Sequence, residues 1–333
     1  PENLSNGICS LRPNEDRCSI ICEMSIGLDG TRKKYKFYSG LINSKARLTY
    51  NQVEKHLKKP SIKQSIVHES IKHLYDLTKL RLKLRNQRRA LEINPKEAML
   101  ELSKNKEVKN IIIKKPLFAH KLVEESMLLA NESAAEFMQE RLDLGVYRIH
   151  EDPDPSKLET LKKHFKIPTQ IAKKLSPLEM INRCLQEAHN KKDDTGQILV
   201  LQTLARAEYS TNNLGHFGLQ LKKYSHFTSP IRRYPDLLVH RLINASLTHK
   251  KPGIRQNELQ DECENSSMLE RRAEKASRQV EQVLICSYLK TKIGSTMDGV
   301  IAGVTDFGLF INLEPYFISG LLHVSDLPDD RYH

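Results

Sequence analysis

The hydrophobic periodicity of this chain changes twice, and those two changes fix the kind of fold it can adopt. Residues 17–26, RCSIICEMSI, are rich in β-branched residues and alternate loosely, the texture of a half-buried strand. GLDGTRKKYKFYSGLI follows, a turn around Asp29-Gly30 and then a second strand, together a hairpin. From Ser44 the apolar residues fall at three-and-four spacing. LTYNQVEKHL, the long run 61–93 and residues 122–143 then read as amphipathic helices. The run 61–93 carries Lys and Arg over positions expected to face solvent, whereas 122–143 is more apolar and hence more buried. Two prolines break the pattern at 147–155, and a helix follows with Ser156 as N-cap and Glu159 completing a capping box. Residues 176–209 read as two further helices, 235–247 as a helix opened by Pro235, and about 257–289 as a long charged helix. After Gly294 the texture becomes short alternating strands punctuated by glycine, as in a small β-barrel. The class expected is α+β, with a mostly helical body between a leading hairpin and a trailing group of strands.

With 53 Lys and Arg against 41 Asp and Glu, the net charge of +12 favours an anionic partner, nucleic acid or anionic lipid. No run of about 18 apolar residues exists to span a membrane. The chain opens on Pro1, with no Met, directly into PENLSNGICSL, which reads as a piece of a longer protein. Six cysteines in 333 residues form no disulfide framework, and Cys18 and Cys22 read as buried thiols in a reducing cytoplasm. The stretch 224–236, YSHFTSPIRRYPD, is the chemically dense one. A proline-stiffened loop there presents adjacent arginines, and a guanidinium can grip two phosphate oxygens at once.

Five stretches in order, LSNGICSL at 4–11, KARLTY at 45–50, LVEESMLLANESAAEF at 122–137, YRIHEDPDPSKL at 147–158 and HFGLQLKKYSHFTSPIRRYPDLLVHRLI at 216–243, resemble the catalytic (RNB) domain of the RNase II and RNase R family. ERRAEKASRQV and GVIAGVTDFGLFI favour the RNase R branch. Residues 1–290 are similar to the C-terminal part of that domain, and 293–333 to the first strands of the OB-fold barrel that follows it. The resemblance implies processive, sequence-nonspecific, 3′-to-5′ hydrolysis of single-stranded RNA to 5′-mononucleotides. It also implies Mg²⁺ as cofactor, a cytoplasmic location, RNA 3′ ends as partner, and the ribosome or RNA-decay factors as further partners. The family's metal-holding aspartates lie upstream of the LSNG segment. The magnesium ligands and the cold-shock domains are therefore expected upstream of Pro1, outside this chain. Asp-rich spots at 151–155, 192–194 and 328–330 sit at the wrong place in the pattern. Two readings stand: a large part of the nuclease, inactive by itself, or an RNA-binding remnant without the metal carboxylates.

By resemblance, Arg232 is the catalytic arginine that stabilises the scissile phosphate, and Tyr50 lies near the RNA 3′ end. One of Glu124 and Glu125 contacts the terminal ribose hydroxyls. About 100° apart on a helix, the two cannot both point inward, and the other is then a solvated charge. Arg233 either joins Arg232 or pairs with Asp236. His226, Thr228 and Ser229 offer hydrogen bonds to phosphates, and Thr228 and Ser229 could equally cap the next helix. Tyr224, Tyr147 and His150 either line the RNA channel or pack, and His240 reads as a structural hydrogen-bonder. Leu91 stands where relatives often carry a stacking aromatic. Phe307, Phe310 and His323 are candidate platforms for bases, the two phenylalanines on opposite strand faces.

Overall fold

The computed structural model describes residues 2–59, 65–93, 98–113, 116–191, 193–314, 316 and 318–328. Pro1, the position beyond which the metal ligands are expected, lies outside the described residues. So do Lys192 of the middle Asp-rich spot and Asp329 and Asp330 of the last. The chain divides into two compact units, one of residues 1–91, 116–154 and 204–269, the other of 92–115, 155–203 and 270–333.

After a short helical segment at Asn3–Ile8, the first unit forms an antiparallel hairpin, β1 (Asp16–Ile26) and β2 (Arg32–Asn43). Its tip is the expected Asp29-Gly30 turn. Gly30 has φ +79°, and a Cβ there would meet Leu80 at 2.9 Å, so glycine is needed both for the backbone and for the close approach of a helix. That helix is α2 (Ser65–Gln87), preceded by α1 (Tyr50–Lys58). α3 (Phe118–Arg141) is the central element, since Leu129, Ala134, Ala135 and Met138 are almost wholly buried. Short strands β5 (Tyr147–Ile149) and β6 (Glu208–Ser210) pair antiparallel. α8 (Tyr234–Leu247) and the first half of α9 (Gln256–Leu289) complete the unit. In its core the Phe37 ring of β2 meets Phe137 of α3 at 5.2 Å and Phe227 at 5.3 Å, both edge-on. Phe227 therefore nails the 224–233 loop to the hairpin and the central helix.

In the second unit α4 (Pro155–His164), α5 (Thr169–Ala172), α6 (Pro177–Lys191) and α7 (Asp194–Thr203) pack around Leu161, Ile181, Cys184 and Val200. α4 starts at Pro155, so Ser156 lies inside the helix rather than capping it, and Glu159 pairs with Lys162 instead. Proline's fixed φ makes it a ready first helical residue. The reciprocal box is built instead at Ser176 and Glu179, just before α6. A hairpin, β3 (Ala98–Leu102) and β4 (Val108–Ile113), was not foreseen from sequence. The trailing segment forms an antiparallel sheet in the order β7 (Gly299–Thr305), β8 (Gly308–Leu313), β9 (Ile318–His323). Helical body, leading hairpin and trailing strands are those expected.

All six cysteines are unpaired, but Cys18 is exposed, opposite the equally exposed Leu41, so it is not the buried thiol expected. Among the described residues no helix is long and apolar enough to cross a membrane.

Candidate functional site

A small open cleft of about 220 Å³ in the first unit is lined by Tyr50, His120, Glu124, Asn131, Tyr224 and Arg233, with Val123, Met127 and Leu128 as its apolar wall. Each wall has a local cause. Thr49 caps α1, its hydroxyl accepting from Gln52 N–H at 3.2 Å while Gln52 accepts from Thr49 N–H at 2.7 Å. That box sets Tyr50 as the first helical residue, 46% exposed, with its ring 4.2 Å from that of His120. Nδ1 of His120 accepts from Leu117 N–H at the start of α3, which fixes the imidazole under the tyrosine.

Glu124 and Glu125 point in different directions, as their helical spacing requires, yet both reach one guanidinium. Arg85 Nη1 lies 2.5 Å from Glu124 Oε1 and 3.2 Å from Glu125 Oε1. Glu124 is half-buried at the cleft, and Lys121 Nζ stands 3.2 Å from its other oxygen. Burial alone would raise its pKa, but the Arg85 hydrogen bond and charge, with Lys121, outweigh that and hold the carboxyl below its usual value. Glu125 is 1% exposed and also lies 3.8 Å from Arg81 Nε. Of the two, left undecided by the sequence, Glu125 is thus the inward one, and it is paired rather than solvated; the expectation that the arginines of α2 all face solvent does not hold. Arg81 and Arg85 are buried because a carboxylate sunk in an apolar helix needs a cation.

The 224–233 loop is fastened over α3 by buried polar side chains. Asn131, 2% exposed, donates to the Tyr224 hydroxyl at 3.1 Å and accepts from Phe227 N–H at 2.9 Å. Ser225 Oγ donates to Val146 O at 2.6 Å. His240 stacks on Phe227 at 4.4 Å and donates to its carbonyl at 2.8 Å, the structural role expected of it. Asp236, fully buried in the first turn of α8, accepts from Ser229 N–H at 2.8 Å and pairs with Arg233 through both oxygens, at 2.8 Å each. Arg233 is therefore the loop's strut, and at the same time a wall of the cleft. Arg232, next to it, is exposed, and among the described residues its guanidinium has no carboxylate partner. Burial above all, then the charges of Arg233 and Arg148 and more weakly that of Arg232, push His226 down to about 2, so that imidazole is neutral. His226 Nδ1 stands 2.9 Å from the Tyr209 hydroxyl.

Tyr50, Glu124, Tyr224 and Arg233 thus meet at one cleft, and the other candidates do not line it. Tyr147 is buried against Ala135 and Ile149, because β5 lies inside the unit. His150 is 8% exposed, its Nδ1 accepting from Gly218 N–H at 3.1 Å. Tyr224, which lines the cleft, is at the same time a core residue, packed with Leu128 and Leu221. The Thr228 hydroxyl is buried, and α8 is capped by neither Thr228 nor Ser229, since Arg233 occupies the N-cap position. Leu91 is a core residue, its N–H bonded to Gly218 O at 2.8 Å. Phe307 and Phe310 do not fall on opposite faces. Phe307 sits in the β7–β8 turn, where strand alternation does not apply, and the rings meet edge-on at 6.0 Å. His323 pairs in register with Gly308 beside them. Sequence reasoning missed Arg85, His120 and Asn131. The available signal was Glu125 itself, which had to find a cation, and Arg81 and Arg85 lie one helical turn apart.

A hairpin-led helical body holds a proline-braced arginine loop over a carboxylate-and-tyrosine cleft, and a three-stranded β-sheet follows it along the chain, an arrangement that sets fixed positive charge and hydroxyl-binding groups side by side. The sequence matches the RNB domain family over residues 1–249 and the S1 RNA binding domain family over 290–333, so the chain belongs to the RNB family. Within it the kinship is to ribonuclease R. The chain is 36% identical to Ribonuclease R of Vibrio cholerae, 35% to that of Escherichia coli and 36% to that of Thermotoga maritima, each match covering the whole chain. It covers 43%, 43% and 49% of those relatives, so it spans about half their length. RNase R of Mycoplasma genitalium in complex with ribose-methylated single-stranded RNA matches with a TM-score of 0.91 at 31% identity, over 99% of this chain and 53% of that one. The same enzyme with double-stranded RNA gives 0.88 at 29%, over 97% and 59%. Yeast Ssd1, a pseudonuclease, shares the fold alone, at 18% identity and a TM-score of 0.74, over 97% and 41%.

Proposed function

We propose that this chain supplies the RNA-holding and charge-neutralising part of a processive 3′-to-5′ exoribonuclease that degrades single-stranded RNA in the cytoplasm to 5′-mononucleotides. Its nuclease part is 1–290 and its barrel part 293–333. The observation that carries the reading is the contrast between adjacent arginines: Arg233 is locked to buried Asp236, while Arg232 is held out, exposed and without a carboxylate among the described residues, on the loop so anchored. A rigidly presented guanidinium with no carboxylate partner among the described residues suits a phosphate whose charge grows during hydrolysis. Glu124 accepts from the hydroxyls of the terminal ribose, and Tyr50 packs against the same nucleotide. Neutral His226 and the Ser229 hydroxyl serve phosphates farther along the strand.

Enzymes of this family generally depend on a divalent metal, here expected to be Mg²⁺. The residues present do not fit one. Among the described residues no group of three His, Cys, Asp or Glu could hold an ion, and the Glu124 carboxylate is already shared by two cations. Ligands upstream of Pro1 remain the proposal for the metal. Hydrolysis is accordingly a property proposed for the whole protein, and the role of this chain is binding and orientation.

The test is directional. A 5′-labelled single-stranded RNA given to the full-length protein with Mg²⁺ should shorten stepwise from its 3′ end, and the isolated chain should bind it without shortening. Affinity should fall steeply with salt, as the charge of +12 requires. Internal cutting would overturn the reading. Binding without any shortening by the full-length protein would leave the second reading, an RNA-binding remnant.

The trailing sheet gives a second expectation. Phe307 is 49% exposed, so Phe307→Ala removes a stacking surface without emptying a core. RNA affinity, read by anisotropy titration, should weaken by about 1 to 3 kcal/mol, the scale of one lost base stack. An unchanged titration would remove Phe307 from the binding surface.

A further inference from the structure

Buried and half-buried charges lie behind the cleft in series. Arg81 reaches Glu125 at 3.8 Å, Glu125 reaches Arg85 at 3.2 Å, and Arg85 reaches Glu124 at 2.5 Å, where the series meets solvent. Arg85 is 8% exposed and Glu125 1%, whereas 38% of the Glu124 side chain is exposed. If Arg85 served only to neutralise Glu125, its shortest contact would be the buried one. It is instead the contact to the half-exposed carboxylate of the neighbouring residue. A guanidinium has five donors in a fixed plane, so one arginine can be braced by one carboxylate and orient another. Arg81 is itself tied to the hairpin tip, Nη1 donating to Gly30 O at 3.1 Å, which anchors the series at its far end.

We infer that Arg85 is a positioning residue for the RNA 3′ end, holding the Glu124 carboxylate fixed as the acceptor of the terminal ribose hydroxyls, with Glu125 bracing the guanidinium from behind. The inference rests on the role given to Glu124 above and deepens it. Lys121 is the weaker partner, a flexible ammonium on the same helix at 3.2 Å, so charge reaches Glu124 from two sides but direction comes from Arg85. The remaining titratable groups around the carboxylate are Tyr50 of α1, His120 and Glu125 of α3, and Arg233 and Tyr224 of the loop.

The experiment compares two RNAs, one ending in an ordinary ribose and one in a 2′,3′-dideoxyribose, binding to the full-length protein without added Mg²⁺. Wild type should prefer the ribose end by about 10- to 100-fold, the scale of one or two hydrogen bonds to a charged acceptor. Glu124→Gln should nearly abolish that preference. Arg85→Met should bring it to within about twofold of Glu124→Gln, with the double variant no worse than either. Affinity for the dideoxy RNA should hold in all three. Arg85→Lys keeps the buried charge without the fork, so its preference should be intermediate; it also decides the matter should Arg85→Met not fold. The pH profile separates orientation from bulk folding. Glu124 is held below its ordinary value, so the wild-type preference should persist as pH falls through the usual carboxylate range. In Arg85→Lys it should fade at higher pH. A full, wild-type-like preference and pH profile in Arg85→Lys and Arg85→Met, with Glu124→Gln defective, would overturn the positioning role alone. A full preference in Glu124→Gln would instead remove Glu124 from the 3′ end and leave the inference without its basis.

Discussion

Arg232→Ala is expected to slow RNA hydrolysis by the full-length protein about 10²- to 10³-fold, the usual cost of removing one preorganised transition-state donor, while its Kd for RNA moves by less than about threefold. The asymmetry follows from how the side chain is held. Phe227 is embedded among Phe37, Phe137 and His240, and Asp236 fixes Ser229 and Arg233, so the turn carrying Arg232 is set before substrate arrives. The guanidinium itself is exposed and has no carboxylate partner among the described residues, so its loss leaves no buried charge behind. Affinity is spread over the many other cations of a strongly basic chain, and one fewer is a small change. Arg232→Lys should recover little, because an ammonium cannot grip two oxygens in a plane. Single-turnover digestion alongside anisotropy titration checks both halves. Equal losses in binding and turnover would make Arg232 an anchor rather than a participant in the chemistry.

The second large effect is on stability. Asp236→Ala should cost about 3 kcal/mol, the low end for breaking a buried ion pair because Arg233 retains some solvent access. The carboxylate is fully buried, accepts from Ser229 N–H and from Arg233 Nη2, and stands 2.8 Å from Arg233 Nε as an ion pair, so its removal strands an amide and a guanidinium together. Asp236→Asn should cost less, since the amide oxygen can still accept from Ser229 N–H. Urea midpoints measure this directly. In the full-length protein the same variant should also lower hydrolysis, because the turn that aims Arg232 is tied to Asp236. A variant that melts like wild type would show that the pair contributes nothing net, and the strut role of Arg233 would go with it.

The two aspects, chemistry and scaffold, were unequally legible in the amino-acid order. Periodicity announced the hairpin at Asp29-Gly30, the central helix and the trailing strands, because alternation and three-and-four spacing are local properties of the backbone. The arginine loop also stood out locally, as a run of residue types no core requires. The β3–β4 hairpin did not, being short, basic and flanked by polar residues that suit a loop equally well. At the site, type was legible and direction was not. That Tyr147 and His150 face inward, that Leu91 is core and that Phe307 leaves its strand depend on which elements cover them, and no local pattern carries that information.

Glu124 and Glu125 show the division most plainly. Order along the chain determined that two adjacent carboxylates on an apolar helix must diverge by about 100°, since that is helical geometry. Which of them opens to solvent, and that one arginine from another helix holds both, was decided only when α2 packed on α3. Desolvation is the physical reason: a buried charge must be matched by whatever cation the tertiary fold brings within reach, and residues forty apart become partners only once the chain has folded.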